Sequence, residues 1–181
     1  MNILVFGAQG TGKSTYAEYI AEKIKVPYIY TGDLFRKLGK EDSEAGEKIR
    51  KLNGKGRLIP DEISIAVFID YLGKLDLSKG AVLDGYPRNL AQAESLPIAI
   101  DLVIYVTLPE KLAIERLLKR KRFDDTPDAI KRRISLYEEV TLPLLEYFRN
   151  KGVEIFEVDN TPPISRVRKK IDDLLEEQRG N

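Results

Sequence analysis

Short apolar runs alternate with longer amphipathic segments over most of the chain. The run NILVF at residues 2–6 fits a fully buried strand, because its apolar residues follow one another without polar interruption. The runs AVLD and DLVIYVTL have the same character. The pattern predicts strands at residues 2–6, 26–30, 81–84, 101–108 and 153–159.

Helical periodicity fills the intervals between these strands. Apolar residues recur at helical spacing in STYAEYIAEKI, ISIAVFIDYLGKL and EKLAIERLLKRKR, and further helices are predicted at about 127–149 and 163–178. A polar, helix-favouring stretch broken by two glycines predicts a small helical insertion at about 31–60. Strands that alternate with helices predict an α/β fold, with a parallel sheet covered by helices on both faces.

Composition narrows the possible chemistry. A chain of 181 residues, 43% hydrophobic and 33% charged, is typical of one globular domain. Its 30 Lys and Arg nearly balance 29 Asp and Glu, so no overall charge favours nucleic acid or an anionic membrane as a partner. It has no Cys and no His, which excludes disulfides, thiol nucleophiles and a histidine base, and no structural zinc is expected. The five-residue apolar run before the glycines is too short for a signal peptide or membrane span, so we expect a cytoplasmic protein.

The segment GAQGTGKST follows the first predicted strand and precedes a predicted helix. Gly7, Gly12, Lys13 and Ser14 match the pattern GxxxxGK[ST] of the phosphate-binding loop. Glycines allow successive backbone N–H groups to point at one anion, and the helix N-terminus adds partial positive charge. Lys13 can reach the β- and γ-phosphates, and Ser14 can offer its hydroxyl to Mg²⁺. The sequence therefore predicts a three-layer P-loop fold that binds a nucleoside triphosphate.

An acid at the end of another buried strand fits the same site. Asp84 ends the run AVLD, where P-loop enzymes place a second carboxylate that organises Mg²⁺. A switch GTPase is disfavoured, because such proteins need a base-reading NKxD and the only candidate, NKGV at 150–153, ends in valine. The segment DYLG lies inside a helical pattern, which is the wrong context for a switch loop.

Arginines are spread over several segments of the chain. Planar guanidinium groups match phosphate oxygens, and phosphoryl transfer needs mainly positioning and neutralisation of charge. The basic runs RLLKRKR and KRR also fit a solvated helix face or a nucleic-acid patch, but only Phe123 lies nearby for base stacking, so no nucleic acid is expected. The candidates for contacting phosphate are Arg36, Arg88, Arg116, Arg120, Arg122 and Arg133.

Several ordered motifs together resemble the adenylate kinase family over essentially the whole chain. GAQGTGKST resembles the family's phosphate loop, and TGDLFR and GRLIPDE resemble its AMP-binding motifs. LDGYPRNLAQAESL is similar to the most recognisable segment of the family. RLLKRKRFDD and RRISLYEEVTLPLLEYF resemble its lid and the helix after the lid. The resemblance implies a reversible transfer in which MgATP and AMP give two ADP.

The resemblance also implies how the chain is organised and which residues act. The core would comprise 1–30, 61–119 and 127–181, with an AMP-binding insertion at about 31–60 and a short lid at about 120–126. The residues implied in ATP binding are Gly10, Thr11, Gly12, Lys13, Ser14, Thr15, Arg116, Arg120, Asn160 and Pro162. Those implied in AMP binding are Thr31, Asp33, Arg36, Arg57, Leu58, Ile59, Gly85, Arg88, Gln92, Arg122 and Arg133. Those implied in catalysis are Lys13, Asp84, Arg88, Arg120, Arg122 and Arg133, with Ser14 and Asp84 holding Mg²⁺ partly through water.

A few positions depart from the family's pattern. The family's loop usually has glycine after the lysine and often proline near its start, where this chain has Ser14 and Gln9. Asn89 resembles UMP/CMP kinases, whereas Thr31 and Gln92 favour AMP. The alternatives to an adenylate kinase are thus a UMP/CMP kinase or, in another class, a P-loop ATPase or assembly factor with little transfer activity. We expect ATP and AMP as partners and a monomeric protein without membrane contact.

Overall fold

The computed structural model describes residues 1–55, 57–120, 122 and 125–180. Within that part of the chain a five-stranded sheet forms, and every pair of neighbouring strands is parallel. Its strands are β1 Ile3–Phe6, β2 Tyr28–Tyr30, β3 Val82–Asp84, β4 Leu102–Thr107 and β5 Glu154–Asp159. The five strands predicted from apolar runs are therefore confirmed, with small differences at their ends.

The strand order places the phosphate loop at the centre of the sheet. The order is β2-β3-β1-β4-β5, so the chain crosses from one side of β1 to the other after β3. Ligands bind at such a reversal of strand order, beyond the carboxyl ends of the strands. Asp84 at the end of β3 lies opposite Val5 of β1, and Tyr30 at the end of β2 lies opposite Asp84. Residues far apart in sequence thus meet at one edge.

Helices cover both faces of the sheet. The helices are α1 Lys13–Ile24, α2 Thr31–Leu38, α3 Glu44–Gly54, α4 Asp61–Leu72, α5 Leu90–Glu94, α6 Glu110–Arg120, α7 Pro127–Leu136, α8 Leu144–Asn150 and α9 Ile164–Gly180. Alternate residues of β1 point to opposite cores: Ile3 and Val5 pack with α1 and α9, and Leu4 and Phe6 pack with α4, α5 and α8. This three-layer α/β arrangement confirms the predicted fold class.

The helix predicted at about 127–149 is interrupted, and the prediction of a single helix was wrong. Between α7 and α8 the chain forms a π-helical turn at Tyr137–Thr141, where the Leu142 amide donates to the Tyr137 carbonyl at 2.7 Å. Pro143 follows the turn after one further residue. Proline cannot donate a backbone hydrogen bond, and in a regular helix its ring would clash with the carbonyl four residues earlier. The Thr141 hydroxyl donates to the Arg88 carbonyl at 2.8 Å, which ties this turn to the strand-end loop.

A third, smaller apolar cluster lies in the segment predicted as an insertion. Phe35 of α2, Ile49 of α3 and Ile59 pack together, and Ile63 and Val67 of α4 contact the cluster from the core side. Helices α2 and α3 therefore have packing of their own and adjoin the main domain through α4. No helix of the described chain has the length and apolar character needed to cross a membrane.

Candidate active site

The phosphate loop leaves β1 and enters α1 through glycines in unusual backbone conformations. Gly12 caps α1 with a φ of 91°, in the left-handed region that favours glycine. A Cβ atom there would lie 2.5 Å from Nδ2 of Asn160, so the loop also depends on a close approach between the two. The Thr11 hydroxyl donates to the Ala8 carbonyl at 2.9 Å inside the loop. Contacts within the protein thus hold the loop in this shape.

Asn160, in the turn after β5, holds the phosphate loop through its side chain. Its Nδ2 donates to the Thr11 carbonyl at 2.6 Å, and its Oδ1 accepts from the Tyr16 hydroxyl. Its backbone carbonyl accepts from Arg116 Nη2 at 3.4 Å. Asn160 is buried. The family resemblance implied only a contact with the nucleotide for Asn160, so its part in fixing the loop was missed.

A cavity of about 710 Å³ opens in front of this loop at the carboxyl edge of the sheet. Its size lies in the range of roughly 300–1,000 Å³ typical of small-molecule sites. No acidic side chain is found among the described residues that line it. Eight cationic residues line it: Lys13, Arg36, Arg57, Arg88, Arg116, Arg120, Arg122 and Arg133. We call it the cationic cavity; its composition suits ligands that carry several negative charges.

Most of the predicted site residues line the cationic cavity. The exceptions are Thr11, Thr31, Asp33 and Asp84, whose side chains instead contact neighbouring protein groups. The Thr31 hydroxyl donates to the Asp84 carbonyl at 3.2 Å, which joins the start of α2 to the end of β3. Asn89 is also absent from the described lining; it caps α5 and donates to Asp61 at 2.9 Å.

Lys13, at the start of α1, interacts electrostatically with Asp84, at the end of β3. Burial lowers the pKa of Lys13, and the charge of Asp84 opposes that change. Asp84 is fully buried; its Oδ2 accepts from the Tyr28 hydroxyl at 3.1 Å, and its Oδ1 has no hydrogen-bond partner in the described structure. Burial, followed by the Asp84 charge, raises the pKa of Tyr28, which keeps it a hydrogen-bond donor. The end of β3 therefore carries a buried carboxylate oxygen without a partner among the described residues.

The loop after β3 presents Arg88 and Gln92 to the cavity. Arg88 Nε donates to the Gly85 carbonyl at 2.7 Å, and burial lowers the pKa of Arg88. Gly85 has a φ of 83°, and a Cβ there would lie 2.9 Å from the Thr31 hydroxyl. Gln92 Oε1 accepts from the Arg88 amide at 2.8 Å, while its Nε2 donates to Asp61. The orientation of the Gln92 amide is fixed by these contacts.

Two arginines of the cavity share one carboxylate. Arg120 donates to both oxygens of Asp125 at 2.8 Å, and Arg133 Nη1 donates to Asp125 Oδ1 at 2.9 Å. The Asp125 side chain is 1% exposed. Burial would raise the pKa of Asp125, but Arg120 and then Arg133 outweigh it and the pKa is lowered. Asp125 was missed as a site residue, although its place shortly after the candidates Arg120 and Arg122 and before Arg133 could have drawn attention to it.

Arg36 and Arg122 meet a tyrosine at the end of β2. Arg122 Nη1 donates to the Tyr30 hydroxyl at 3.3 Å, and the guanidinium carbon of Arg36 lies 5.2 Å from the centre of the Tyr30 ring. Arg36 also pairs with Asp33 one turn earlier in α2. Burial would raise the pKa of Tyr30, but hydrogen bonds from Arg122 and Arg36 outweigh it and lower the pKa. Tyr30 was also missed, because nothing in its spacing distinguishes it from a strand residue.

Comparisons with known proteins identify a family for this chain. The family model for adenylate kinase matches residues 5–153. The chain is 38% identical to an adenylate kinase of Oenococcus oeni, with 96% of this chain and 97% of that protein covered. It is 34% identical to an adenylate kinase of a Cyanothece species, with 98% and 96% covered. It is 33% identical to an adenylate kinase of Archaeoglobus fulgidus, with 97% and 98% covered.

The parallel sheet, the phosphate loop and the cation-lined cavity define an α/β P-loop nucleotide kinase. The matches over nearly the full length specify it further: the chain belongs to the adenylate kinase family. The resemblance found in the sequence is confirmed. The alternatives of a UMP/CMP kinase and of a P-loop ATPase or assembly factor are not favoured, since these relatives carry the name adenylate kinase.

Proposed function

We propose that this chain catalyses reversible transfer of the γ-phosphoryl group of ATP to AMP, giving two ADP. The observation that carries the proposal is the cationic cavity, which combines the phosphate loop with arginines from α2, α6, α7, the loop after β3 and residues 57 and 122. One triphosphate needs only the loop and a few cations. A second phosphorylated ligand accounts for the arginines on the opposite wall, at α2 and after β3.

The triphosphate fits the wall formed by the phosphate loop, α6 and the turn after β5. Backbone N–H groups from Gly10 to Thr15 would bind the β-phosphate at the positive end of α1. Lys13 and Arg116 line this wall, and Asn160 and Pro162 line its far end, where the adenine would lie. The side-chain contacts of Asn160 keep this wall in place while the nucleotide enters.

The monophosphate fits the wall formed by α2, residues 57–59 and the loop after β3. Arg36 and Arg88 line it and would bind the phosphate of AMP. Leu58 and Ile59 supply an apolar surface near Gln92, whose Oε1 keeps one lone pair for an amino group on the base. Thr31, Asp33 and Gly85 would shape this end through their contacts with Asp84, Arg36 and Arg88.

Transfer would take place between the two walls, where Arg120, Arg122 and Arg133 project. An oxygen of the AMP phosphate bonds to the γ-phosphorus as the bond from that phosphorus to the bridging oxygen of ADP breaks. Negative charge spreads over the three equatorial oxygens of the moving group. Guanidinium groups held in place before the reaction stabilise this charge without having to reorganise. No proton needs to move in this step, which suits a site without histidine.

Magnesium fits the residues at the end of β3. The buried and unpartnered Oδ1 of Asp84 can accept hydrogen bonds from the water ligands of Mg²⁺, and Ser14 lines the adjacent cavity wall. Bound Mg²⁺ would neutralise charge on the β- and γ-phosphates. Within the described residues no group of three or more acidic, His or Cys side chains forms a metal site of its own.

We also propose that the segment at about 31–60 is a mobile AMP-binding unit and that residues 120–126 form a short lid. The separate apolar cluster around Phe35, Ile49 and Ile59 supports the first assignment. Closing both over the nucleotides would exclude water and prevent hydrolysis of ATP. Lys121, Phe123 and Asp124 of the lid lie outside the described residues. We expect a monomer that acts in the cytoplasm.

The test is to incubate the protein with MgATP and, separately, with AMP, CMP, UMP or GMP, and to separate the products by ion-exchange chromatography. We expect ADP to form from AMP faster than any other diphosphate, and MgADP plus ADP to give ATP and AMP. Replacing the loop lysine (Lys13→Ala) should abolish transfer without unfolding the protein. The matched control is Lys74→Ala, because Lys74 is exposed and pairs with Asp70 away from the cavity.

Two results would contradict the proposal. CDP from CMP without ADP from AMP would exclude an adenylate kinase. Phosphate release from ATP without any acceptor, unchanged by AMP, would exclude a nucleotide kinase and favour an ATPase. A normal rate in the Lys13→Ala variant would contradict the assignment of the phosphate loop.

A further inference from the structure

Two tyrosines of β2 stack against each other at the edge of the active site. Tyr28 and Tyr30 are two residues apart on one strand, so their side chains point to the same face. Their ring centres lie 6.0 Å apart and the ring planes differ by 4°. In the sheet register Tyr28 lies opposite Val82 and Tyr30 opposite Asp84. The pair therefore stands beside the carboxylate that ends β3.

Each hydroxyl of the pair contacts a different part of the site. The Tyr28 hydroxyl donates to Asp84 Oδ2 at 3.1 Å, while Oδ1 has no hydrogen-bond partner in the described structure. This contact restricts rotation of the carboxylate and leaves Oδ1 for a ligand. The Tyr30 hydroxyl accepts from Arg122 Nη1 at 3.3 Å, and Tyr30 lines the cationic cavity.

Tyr30 joins the two parts of the site that would have to move. Arg36 belongs to α2, in the proposed AMP-binding unit, and its guanidinium carbon is 5.2 Å from the centre of the Tyr30 ring. Arg122 belongs to the proposed lid and bonds to the hydroxyl of the same ring. Gly32 allows this position, since a Cβ there would lie 2.7 Å from the ring and 2.8 Å from its hydroxyl.

We propose that Tyr28 and Tyr30 are positioning residues for phosphoryl transfer, Tyr30 through Arg36 and Arg122 and Tyr28 through Asp84. The stacked rings fix the position of one hydroxyl relative to the other. The distance between the two arginines, which would bind phosphate, and the Asp84 carboxylate, which would organise Mg²⁺, is therefore fixed as well. This inference rests on the proposed transfer function. Neither tyrosine needs to touch the reacting atoms, because each acts through a charged group that it holds.

The experiment compares Tyr30→Phe and Tyr28→Phe with the matched control Tyr19→Phe. Each change removes one hydroxyl and keeps the ring, and the Tyr19 hydroxyl donates to Asp172 at 2.7 Å in the contact between α1 and α9. Tyr30→Phe should lower kcat about tenfold, because a hydrogen bond to a charged group is lost, while KM for ATP stays within about twofold. Tyr28→Phe should raise the Mg²⁺ concentration needed for half-maximal rate several-fold. Tyr19→Phe should leave kcat and the Mg²⁺ requirement unchanged.

Two further measurements do not depend on turnover. Nuclear magnetic resonance of the arginine Nε–Hε groups in the nucleotide-free protein should show Arg36 and Arg122 changed in Tyr30→Phe and not in Tyr19→Phe. Calorimetry of ADP binding with and without Mg²⁺ should show that Mg²⁺ increases the affinity for ADP less in Tyr28→Phe than in the wild type. A wild-type protein without AMP-dependent turnover would contradict the proposed function, whereas the arginine signals would still test the positions of the side chains.

The inference is overturned by either of two results. One is a kcat for Tyr30→Phe within about twofold of wild type together with unchanged arginine signals. The other is a loss of kcat in both Tyr30→Phe and Tyr19→Phe that is proportional to their loss of thermal stability. Such a result would mean that the Tyr30 hydroxyl affects the rate only by stabilising the fold. An unchanged Mg²⁺ requirement in Tyr28→Phe would show that Tyr28 is not a positioning residue.

Discussion

The phosphate loop and the arginines of the cationic cavity are held in place in different ways. The phosphate loop comes from one continuous segment, and the groups that hold it, such as Asn160 and Tyr16, are buried protein side chains. The arginines come from separate segments, and several of them contact an acid or a phenol: Arg36 contacts Asp33, Arg122 contacts Tyr30, and Arg120 and Arg133 contact Asp125.

Under the proposed function, this difference predicts how ATP binding and catalysis divide between the loop and the arginines. The loop offers backbone N–H groups in a fixed shape, so changes around it should act mainly on stability and on ATP affinity. The arginines depend on side-chain contacts that set their direction, so changes around them should act mainly on kcat. Misplacing a charged group by about 1 Å can cost on the order of 10²-fold in rate. Variants around the loop and variants around the arginines should therefore be distinguishable by their effects on KM and kcat.

The largest effect is expected from removing an arginine itself. Arg88→Met should lower kcat by on the order of 10³-fold, because it removes a buried guanidinium that we propose stabilises the transferred phosphate. Burial lowers the pKa of Arg88, which indicates that removing this charge from water costs folding free energy. The variant does not bear that cost, so it should be at least as stable as wild type. Steady-state kinetics and urea unfolding measure the two effects.

The matched control for that change is Arg149→Met, since Arg149 is exposed in the last turn of α8. It should keep the wild-type kcat. An unchanged kcat in Arg88→Met would contradict the place of Arg88 in the site. A lower free energy of unfolding would contradict the reason given for the stability of this variant.

The next largest effect is expected from Asp125→Asn, which keeps the shape of the side chain and removes its charge. Arg120 and Arg133 would lose a shared partner, so kcat should fall on the order of 10- to 100-fold. The free energy of unfolding should fall by about 2 kcal/mol at pH 7, because hydrogen bonds to a charged group are weakened. Urea unfolding at several pH values and initial rates measure these changes.

The pH dependence of this stability difference has a definite sign. The pKa of Asp125 in the folded protein is lowered below its usual 3.8, by Arg120 and Arg133 acting against burial. Its contribution is therefore complete above pH 3.8 and disappears as the pH falls through the folded-state pKa. The difference between wild type and Asp125→Asn should be constant near neutral pH and shrink in acid. A difference of the same size at all pH values would show that charge is not the cause.

A smaller effect on rate, with a clear effect on stability, is expected from Asn160→Ala. The Thr11 carbonyl and the Tyr16 hydroxyl would lose a buried partner, which should lower the unfolding free energy by about 1–3 kcal/mol. KM for ATP should rise several-fold and kcat should change less. Exposed Asn150 at the end of α8 provides the control Asn150→Ala. A large loss of kcat with unchanged KM for ATP would contradict the distinction drawn between the loop and the arginines.

The smallest effect is expected from Asp33→Asn. The Asp33 side chain is 60% exposed, so its pair with Arg36 is screened by solvent, and Tyr30 still contacts Arg36. The melting temperature should stay within about 2 °C of wild type, as for the exposed control Asp70→Asn. KM for AMP should change by a small factor that decreases with added salt. A loss of kcat as large as that of Asp125→Asn would mean that Asp33 fixes Arg36 by itself.

The sequence alone determined the features that depend on neighbours along the chain. The glycine spacing of Gly7 to Thr15 specifies the phosphate loop, because a turn between a strand and a helix is a local structure. Uninterrupted apolar runs gave the strands, and their alternation with helices gave the parallel sheet. Asp84 could be placed at the ligand edge for the same reason. The helix predicted at about 127–149 contains Pro143, and the chain leaves regular helical geometry next to this proline for an equally local reason.

Only the tertiary structure decided which distant side chains meet. Asn160 reaches the Thr11 carbonyl and Arg122 reaches the Tyr30 hydroxyl across long stretches of chain, and no spacing rule relates these positions. Asp125 sits near its arginines in sequence, yet its burial and its two simultaneous partners depend on the path between α6 and α7. The physical reason is that a parallel sheet gathers the carboxyl ends of all its strands at one edge. The order of the strands, which apolar patterns do not encode, then decides which residues become neighbours there.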